Sequence, residues 1–433
     1  MIAPLAILPM SGRLAALFLV GACAGSLANW AIYRLAWRRR AIGPWSPPSA
    51  EAPPRRPWDR LPILGWLGLR REAALHGRGF WLRPMLIELA TGGLFAGLYW
   101  WEVGQLGLLP PELRRIPIAW LATICHCPLP TLLDGQYMAH VILLTLMLAA
   151  TWIDLDEQTI PDAVIVPGTL LGLALAAAWP YTLLPDVVPP PVAGPWALPK
   201  IGLVWLSSPG ECQPWANPAW TGPAALGLGV ACLLGWCTAL LPRTWYARHG
   251  VARAWQLLLA RMVRERATWA ILAMGTLGSA ATCAVWRLGG LRWAALLSAL
   301  AGLAAGGGMV WMVRVLGRAV LRREAMGLGD VTLMAMIGAF LGWQAAVVVF
   351  FLAPLAGLVL GLVRWLGHGE SEIPYGPFLC LAALTTTVAW AAVWEQVQDV
   401  FALGWRLPLV LVFSLAMIVV LLPLVRWAMS LVR

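Results

Sequence analysis

Lysine is almost missing from this chain: Lys200 stands alone among 433 residues. All charged side chains together make up 12% of the sequence, against 60% hydrophobic residues and a mean hydropathy of +0.75. That shortage excludes a soluble domain, because a core of this chain length cannot hide so much apolar surface. Lipid is therefore part of the solvent. A spanning helix needs roughly 20 mostly apolar residues, and about eight to ten such stretches occur along the chain.

Other absences narrow the chemistry. No CxxC pair exists among the eight cysteines, and Cys125-His126-Cys127 has no second half at ligand spacing, so no metal site is expected. Neither HExxH nor a phosphate loop is present, and Ser, His and Asp do not meet in a hydrolase motif. The net charge of +11 does not mark a nucleic-acid binder. The arginines gather in short blocks between apolar runs, as cytoplasmic loops require. A basic n-region is also lacking at the start. The apolar run from about Leu14 leads into Arg34 and Arg38-Arg39-Arg40, so the first helix is expected to remain and to end in the cytoplasm.

What is there reads as an all-α, polytopic transmembrane helix bundle. A first helix over 12–35 leads to a sizeable cytoplasmic loop over 36–83, and a second helix follows over 84–101. Residues 102–136, broken by Pro117, Pro128 and Pro130, are expected to be interfacial or re-entrant. A helix over 137–153 returns inward to Asp154, and one over 163–183 goes out. The Pro- and Trp-rich stretch 184–220 suits an outer loop resting on the interface. Further helices are expected over 221–241, 268–287, 291–313, 331–342, 344–366, 377–397 and 407–428. The basic segment 243–266 is expected on the membrane surface, and the loop His368 to Tyr375 in the cytoplasm. This bookkeeping puts Asp154 and Asp330 at the same, cytoplasmic side.

Carboxylates at the edge of a membrane segment are costly, so a functional reading is the default there. Asp154 ends one apolar run and Asp330 begins another, preceded by Gly327-Leu328-Gly329. Those glycines remove Cβ atoms and let an extended peptide approach. Glu157 and Asp162 read as a solvated loop. Two carboxylates brought together can share a proton, the ionised one acting as base on water and the protonated one polarising a carbonyl. Such a pair titrates as a unit. A Mg²⁺ site on Asp154, Asp156 and Asp162 is the hard-oxygen alternative, and it would need phosphate chemistry.

Six stretches together resemble the bacterial type IV prepilin peptidases, also called leader peptidase/N-methyltransferases. They are GSLANWAIYRL at 25–35, RLPILGWLGLRR at 60–71 followed by RPMLIELATGG at 83–93, IDLDEQTIPD at 153–162, MGLGDVTLMAMIGAFLGWQ at 326–344 and IPYGPFL at 373–379. The resemblance implies a GxGD-type intramembrane aspartyl protease with Asp154 and Asp330 as its catalytic pair. Gly327, Gly329, Pro161, Pro374 and Gly376 would support the site or hold substrate. It implies cleavage of the short basic leader of type IV prepilins or type II secretion pseudopilins at the inner-membrane face. It also implies methylation of the new N-terminus with S-adenosylmethionine by the region 12–101, with Asn29, Arg34 and Glu88 in that half. Residues 137–430 would then be the peptidase domain, with an insertion at about 184–313.

Two departures stand out. Many family members carry two CxxC pairs in the first loop, thought to hold zinc, where this chain reads EAALHGRGFWLRP. The spacing from Asp154 to Asp330 is also far longer than the family's. Two other classes remain open at this point. One is a proton-coupled transporter using the aspartates as relays. The other is a presenilin-like GxGD protease, whose first aspartate follows a Tyr where Trp152-Ile153 precedes Asp154 here.

Overall fold

The structure is a computed structural model that describes residues 8–40, 42–117, 121, 128–188, 200–209, 214–241, 260, 264–321, 326–366, 374–404, 406, 409, 410 and 417. Helices dominate for a physical reason: a segment in lipid has no water to bond its N–H and C=O groups and must pair them internally.

The first helix, α1 (Met10–Arg34), closes with Arg34 in its last turn, where a cation complements the helix dipole. A short helix, α2 (Leu64–Leu69), lies in the polar loop, and α3 (Leu82–Leu98) returns along α1. A π-turn over Tyr99–Gly104 follows. Helix α4 (Leu129–Glu157) begins eight residues before the expected start at 137 and ends at Gln158, whose φ is +53°. After Ile160 and Pro161, α5 (Asp162–Ala178) begins. Strands β1 (Pro185–Val188) and β2 (Lys200–Leu203) form an antiparallel pair with Asp186 opposite Gly202. Helices α6 (Pro223–Leu240), α7 (Arg266–Leu288) and α8 (Gly290–Leu321) come next. They are followed by α9 (Leu328–Leu341), α10 (Trp343–Leu366), α11 (Gly376–Val388) and α12 (Trp390–Phe401).

Among the described residues five helices are long and apolar enough to cross a membrane: α1, α4, α6, α7 and α8 over Gly290–Arg318. The bent pair α11–α12 would make a sixth, and α5, α9 and Trp343–Val359 of α10 are shorter apolar helices. With the bent pair and the three shorter helices counted, the described residues hold nine, within the expected eight to ten. The core runs through α4, α9, α10 and α11, around Met147, Met334, Ile337 and Leu379. Helices α8 and α9 cross with Gly302 on Gly338, so closely that a Cβ on either would meet the other's backbone oxygen.

Two expectations are corrected. The stretch 377–397 is not one continuous helix: it breaks at Ala389, and α12 leaves α11 at 95°. Indole donors hold it aside, Trp390 Nε1 bonding Pro185 O at 2.8 Å and Trp394 Nε1 bonding Asp186 Oδ1 at 2.9 Å. The described parts of 184–220 also do not simply rest on the interface. Ile201, Val204 and Trp205 are buried, and Gln344 Nε2 donates to Trp205 O at 2.6 Å, tying the strand pair to α10. Most of the expected helix at 407–428 and of the basic segment 243–266, together with Cys125-His126-Cys127 and His368 to Ile373, lies outside the described residues.

Candidate active site

Asp154 occupies the last turn of α4 and Asp330 the first turn of α9, and both are buried. Sequence dictates each placement. Helix α4 ends where Gln158 adopts a left-handed conformation. Helix α9 begins where Gly327 takes an extended one, and Asp330 Oδ2 turns back to accept the Gly327 N–H at 3.1 Å. The two carboxylates flank the same residue: Asp154 Oδ2 lies against Gly376, which abuts Ile160, and Gly329, next to Asp330, abuts Ile160 as well.

Ile160 is the meeting point of three segments. A Cβ at Gly329 would stand 2.9 Å from Ile160 Cβ, and a Cβ at Gly376 would stand 3.0 Å from Ile160 Cδ1. The same Cβ at Gly376 would collide with Asp154 Oδ2. Glycine at 329 and 376 is thus required by close approach. At Gly327 it is not, since a Cβ there would meet only Asp330 Oδ2 at an ordinary 3.5 Å. Pro161 caps α5, and its carbonyl accepts the Val164 N–H at 3.0 Å. Pro374 precedes Tyr375 at the start of α11.

Sequence reasoning did not single out Tyr375 or Ile160, although both lie inside the quoted motifs. Burial, with the charge on Asp330 behind it, pushes the Tyr375 phenol up to about 12. It therefore remains an O–H donor near Asp330 across the neutral range. Asp154 Oδ2 is buried with no hydrogen-bond partner among the described residues. A water or a peptide group entering there would find an acceptor ready. Two carboxylates so arranged can divide acid and base roles between them.

The other acidic residues do different work. Asp156 accepts from Arg83 Nη1 at 2.8 and 3.0 Å, and that guanidinium lies 4.3 Å over the Trp152 ring. Glu157 accepts the backbone N–H groups of Trp37 and Arg38, each at 2.8 Å. Asp162 is exposed at the start of α5. The Mg²⁺ alternative would need Asp154, Asp156 and Asp162 to converge, whereas Asp156 is taken by Arg83 and Asp162 faces outward.

In the first loop Glu88 is a node. It accepts from Ser26 Oγ at 2.7 Å, Asn29 Nδ2 at 3.2 Å, Trp66 Nε1 at 2.8 Å and Ile63 N at 2.5 Å. Asn29 Nδ2 also donates to Pro84 O at 2.9 Å. Arg55 grips Glu72 at 2.7 and 2.9 Å, and Arg71 pairs with Asp59. These buried carboxylates pin a loop that has no cysteine with which to hold a metal.

Known proteins match the chain in two places. The type IV leader peptidase family model covers residues 258–362, and the bacterial peptidase A24 N-terminal domain model covers residues 19–102. The first contains Asp330; Asp154 and α6 lie in neither. Proteins named prepilin leader peptidase/N-methyltransferase are among its relatives. That of Aeromonas salmonicida is 37% identical over 91 residues, 20% of this chain and 30% of the relative. That of Pseudomonas aeruginosa is 40% identical over 92 residues, 21% and 32% of the two chains. That of Myxococcus xanthus is 28% identical over 160 residues, 37% and 39% of the two chains. The alignments thus span 30% to 39% of these relatives' own lengths. No solved structure matches the chain. With a stretch matched in its N-terminal half and another around Asp330, the chain is a relative of the type IV prepilin peptidases.

Proposed function

We propose that the chain cleaves the short basic leader of type IV prepilins or type II secretion pseudopilins, using Asp154 and Asp330 at the cytoplasmic face of the bacterial inner membrane. The observation that carries this reading is the meeting of the Asp154 helix end, the Gly329 turn and Gly376 around Ile160. Three separated stretches of the motif set thereby meet at Ile160, beside two buried carboxylates.

In this mechanism the ionised carboxylate takes a proton from a water as the oxygen attacks the scissile carbonyl. The protonated partner donates to the carbonyl oxygen. Collapse of the tetrahedral diol breaks the C–N bond, and a proton passes to the leaving amine. Substrate is the leader peptide followed by the apolar segment that stays in the lipid bilayer. Asp154→Asn and Asp330→Asn should each abolish processing of a co-expressed prepilin, and normal processing in both would overturn the assignment.

The relatives' names join methylation to cleavage, which brings in S-adenosylmethionine as methyl donor. Glu88 takes three donors on Oε1 and one on Oε2, while Asn29 Oδ1 is buried and unpartnered among the described residues. No methylation step is assigned to them. Mass spectrometry of the processed N-terminus tests that half, an added methyl group supporting it and an unmodified amine opposing it.

A further inference from the structure

The turn that carries Asp154 is gripped from behind by the N-terminal helix pair. Ile153 is buried in a cluster with Ala28 and Ile32 of α1 and Ile87 of α3. Arg83, the second residue of α3, donates from Nη1 to both Asp156 oxygens at 2.8 and 3.0 Å and lies 4.3 Å over the Trp152 ring. Glu157, the last residue of α4, accepts the N–H groups of Trp37 and Arg38 just beyond α1, each at 2.8 Å. Trp152 and Asp156 stand two residues either side of Asp154, which puts them roughly 160° around the helix from it. Asp154 faces α11 instead, with its Oδ2 against Gly376.

We propose that Arg83 and Glu157 are positioning residues for Asp154, so that the N-terminal helix pair sets where one carboxylate of the reacting pair stands. The inference rests on the proposed leader-peptidase reading. Charge placement carries it. A cation in the first turn of α3 and anions in the last turn of α4 each oppose the dipole of their own helix. None of them serves the helix that bears it, and each gains from its partner across the contact. Position along α4 carries it further. Gln158 leaves the helix in a left-handed conformation, so no later turn of α4 steadies Asp154. Helix ends fray, and the contacts of Asp156 and Glu157 supply the order that the helix itself cannot. Trp37, Arg38 and Arg83 fall within the matched N-terminal segment 19–102, and Asp154 lies outside both matched segments. The part of the chain without a reacting carboxylate thereby steadies one.

Partial exposure makes the test clean: the Arg83 and Asp156 side chains are 33% and 30% open. Such pairs contribute little to stability, so Arg83→Ala and Glu157→Ala should keep the full-length protein's melting temperature in detergent. Both should lower kcat for a full-length prepilin by about tenfold to a hundredfold, with KM nearly unchanged. The pH profile of kcat should also change shape, because two coupled carboxylates titrate according to their separation. Asp156→Ala added to Arg83→Ala should cost little more than Arg83→Ala alone, since both remove one contact. Arg83→Lys, which keeps a cation beside Asp156 and Trp152, should recover most of the rate. A rate that falls only in step with the melting temperature, with the pH profile unmoved, would make the grip a structural fastening and overturn the inference. Unchanged kinetics in both alanine variants would overturn it as well. Failure of the unsubstituted chain to cleave any prepilin would overturn the leader-peptidase reading instead.

Discussion

Gly376 and Asp154 touch across the end of the bundle: a side-chain carbon at Gly376 would run into Asp154 Oδ2. Either the carboxylate rotates or α11 backs away from α4. An error of about 1 Å in a catalytic group costs roughly a hundredfold in rate. Gly376→Ala should therefore lower leader cleavage by about that factor, measured on purified protein with a prepilin substrate. Near-normal turnover would remove the geometric argument for Gly376.

Glu88 supports the first loop through four donors, one of which is the N–H of Ile63. That β-branched residue sits at φ +65°, a conformation its side chain resists. Glu88→Ala strands those donors, at roughly 1–3 kcal/mol for each that stays buried. The loop over 57–76 should become a fast tryptic site. Ile63→Gly should tighten it, since glycine takes positive φ freely. Equal digestion rates in all three proteins would show that the node does not hold the loop.

Glu102 and His140 bond at 2.8 Å with neither side chain exposed. Removing one member of a buried hydrogen-bonded pair leaves the other unsatisfied, which costs more than removing both. His140→Leu alone should cost about 1–3 kcal/mol, and Glu102→Leu with His140→Leu should recover most of that. Thermal melts of the two variants in detergent read the difference. A double variant no better than the single one would refute the pairing.

Burial raises the Asp186 carboxyl above its usual range, against hydrogen bonds from Trp394, Ser208 and the Val187 backbone. The folded chain therefore holds that proton more tightly than the unfolded chain, whose value is about 3.9. This contribution is present at low pH and is lost as pH rises from there through the folded value. Asp186→Asn should flatten that dependence in melts taken from pH 3.5 upward. A variant that keeps the slope would place its origin elsewhere.

The class of fold was legible because hydropathy is a bulk property, and lipid leaves helices as the way to satisfy the backbone. Asp154 and Asp330 were legible because carboxylates are conspicuous at the ends of apolar runs. What composition could not convey was contact between distant segments. Nothing local to Trp390 announces that its indole reaches Pro185, so the 95° turn before it was missed. Tyr375 was passed over for the same reason: it matters through its nearness to Asp330, which only the folded chain creates. Glu88 was legible only through the resemblance, and its four donors became visible only in the folded chain.

The bare-backbone crossing of Gly302 on Gly338 has a mechanical consequence. With backbone on backbone at Gly302 and Gly338, and Met334 and Ala335 seated against Gly306 and Gly307, α9 lies along α8 with no room for a larger residue between them. Asp330 is carried on a stiff mast whose footing is fixed from within the bilayer. Compliance has to reside elsewhere. In α7 only 17% of the apolar window is buried, and in α6 28%, against 56% in α8. These loosely held staves, rather than the carboxylate's own support, are where the barrel can be sprung.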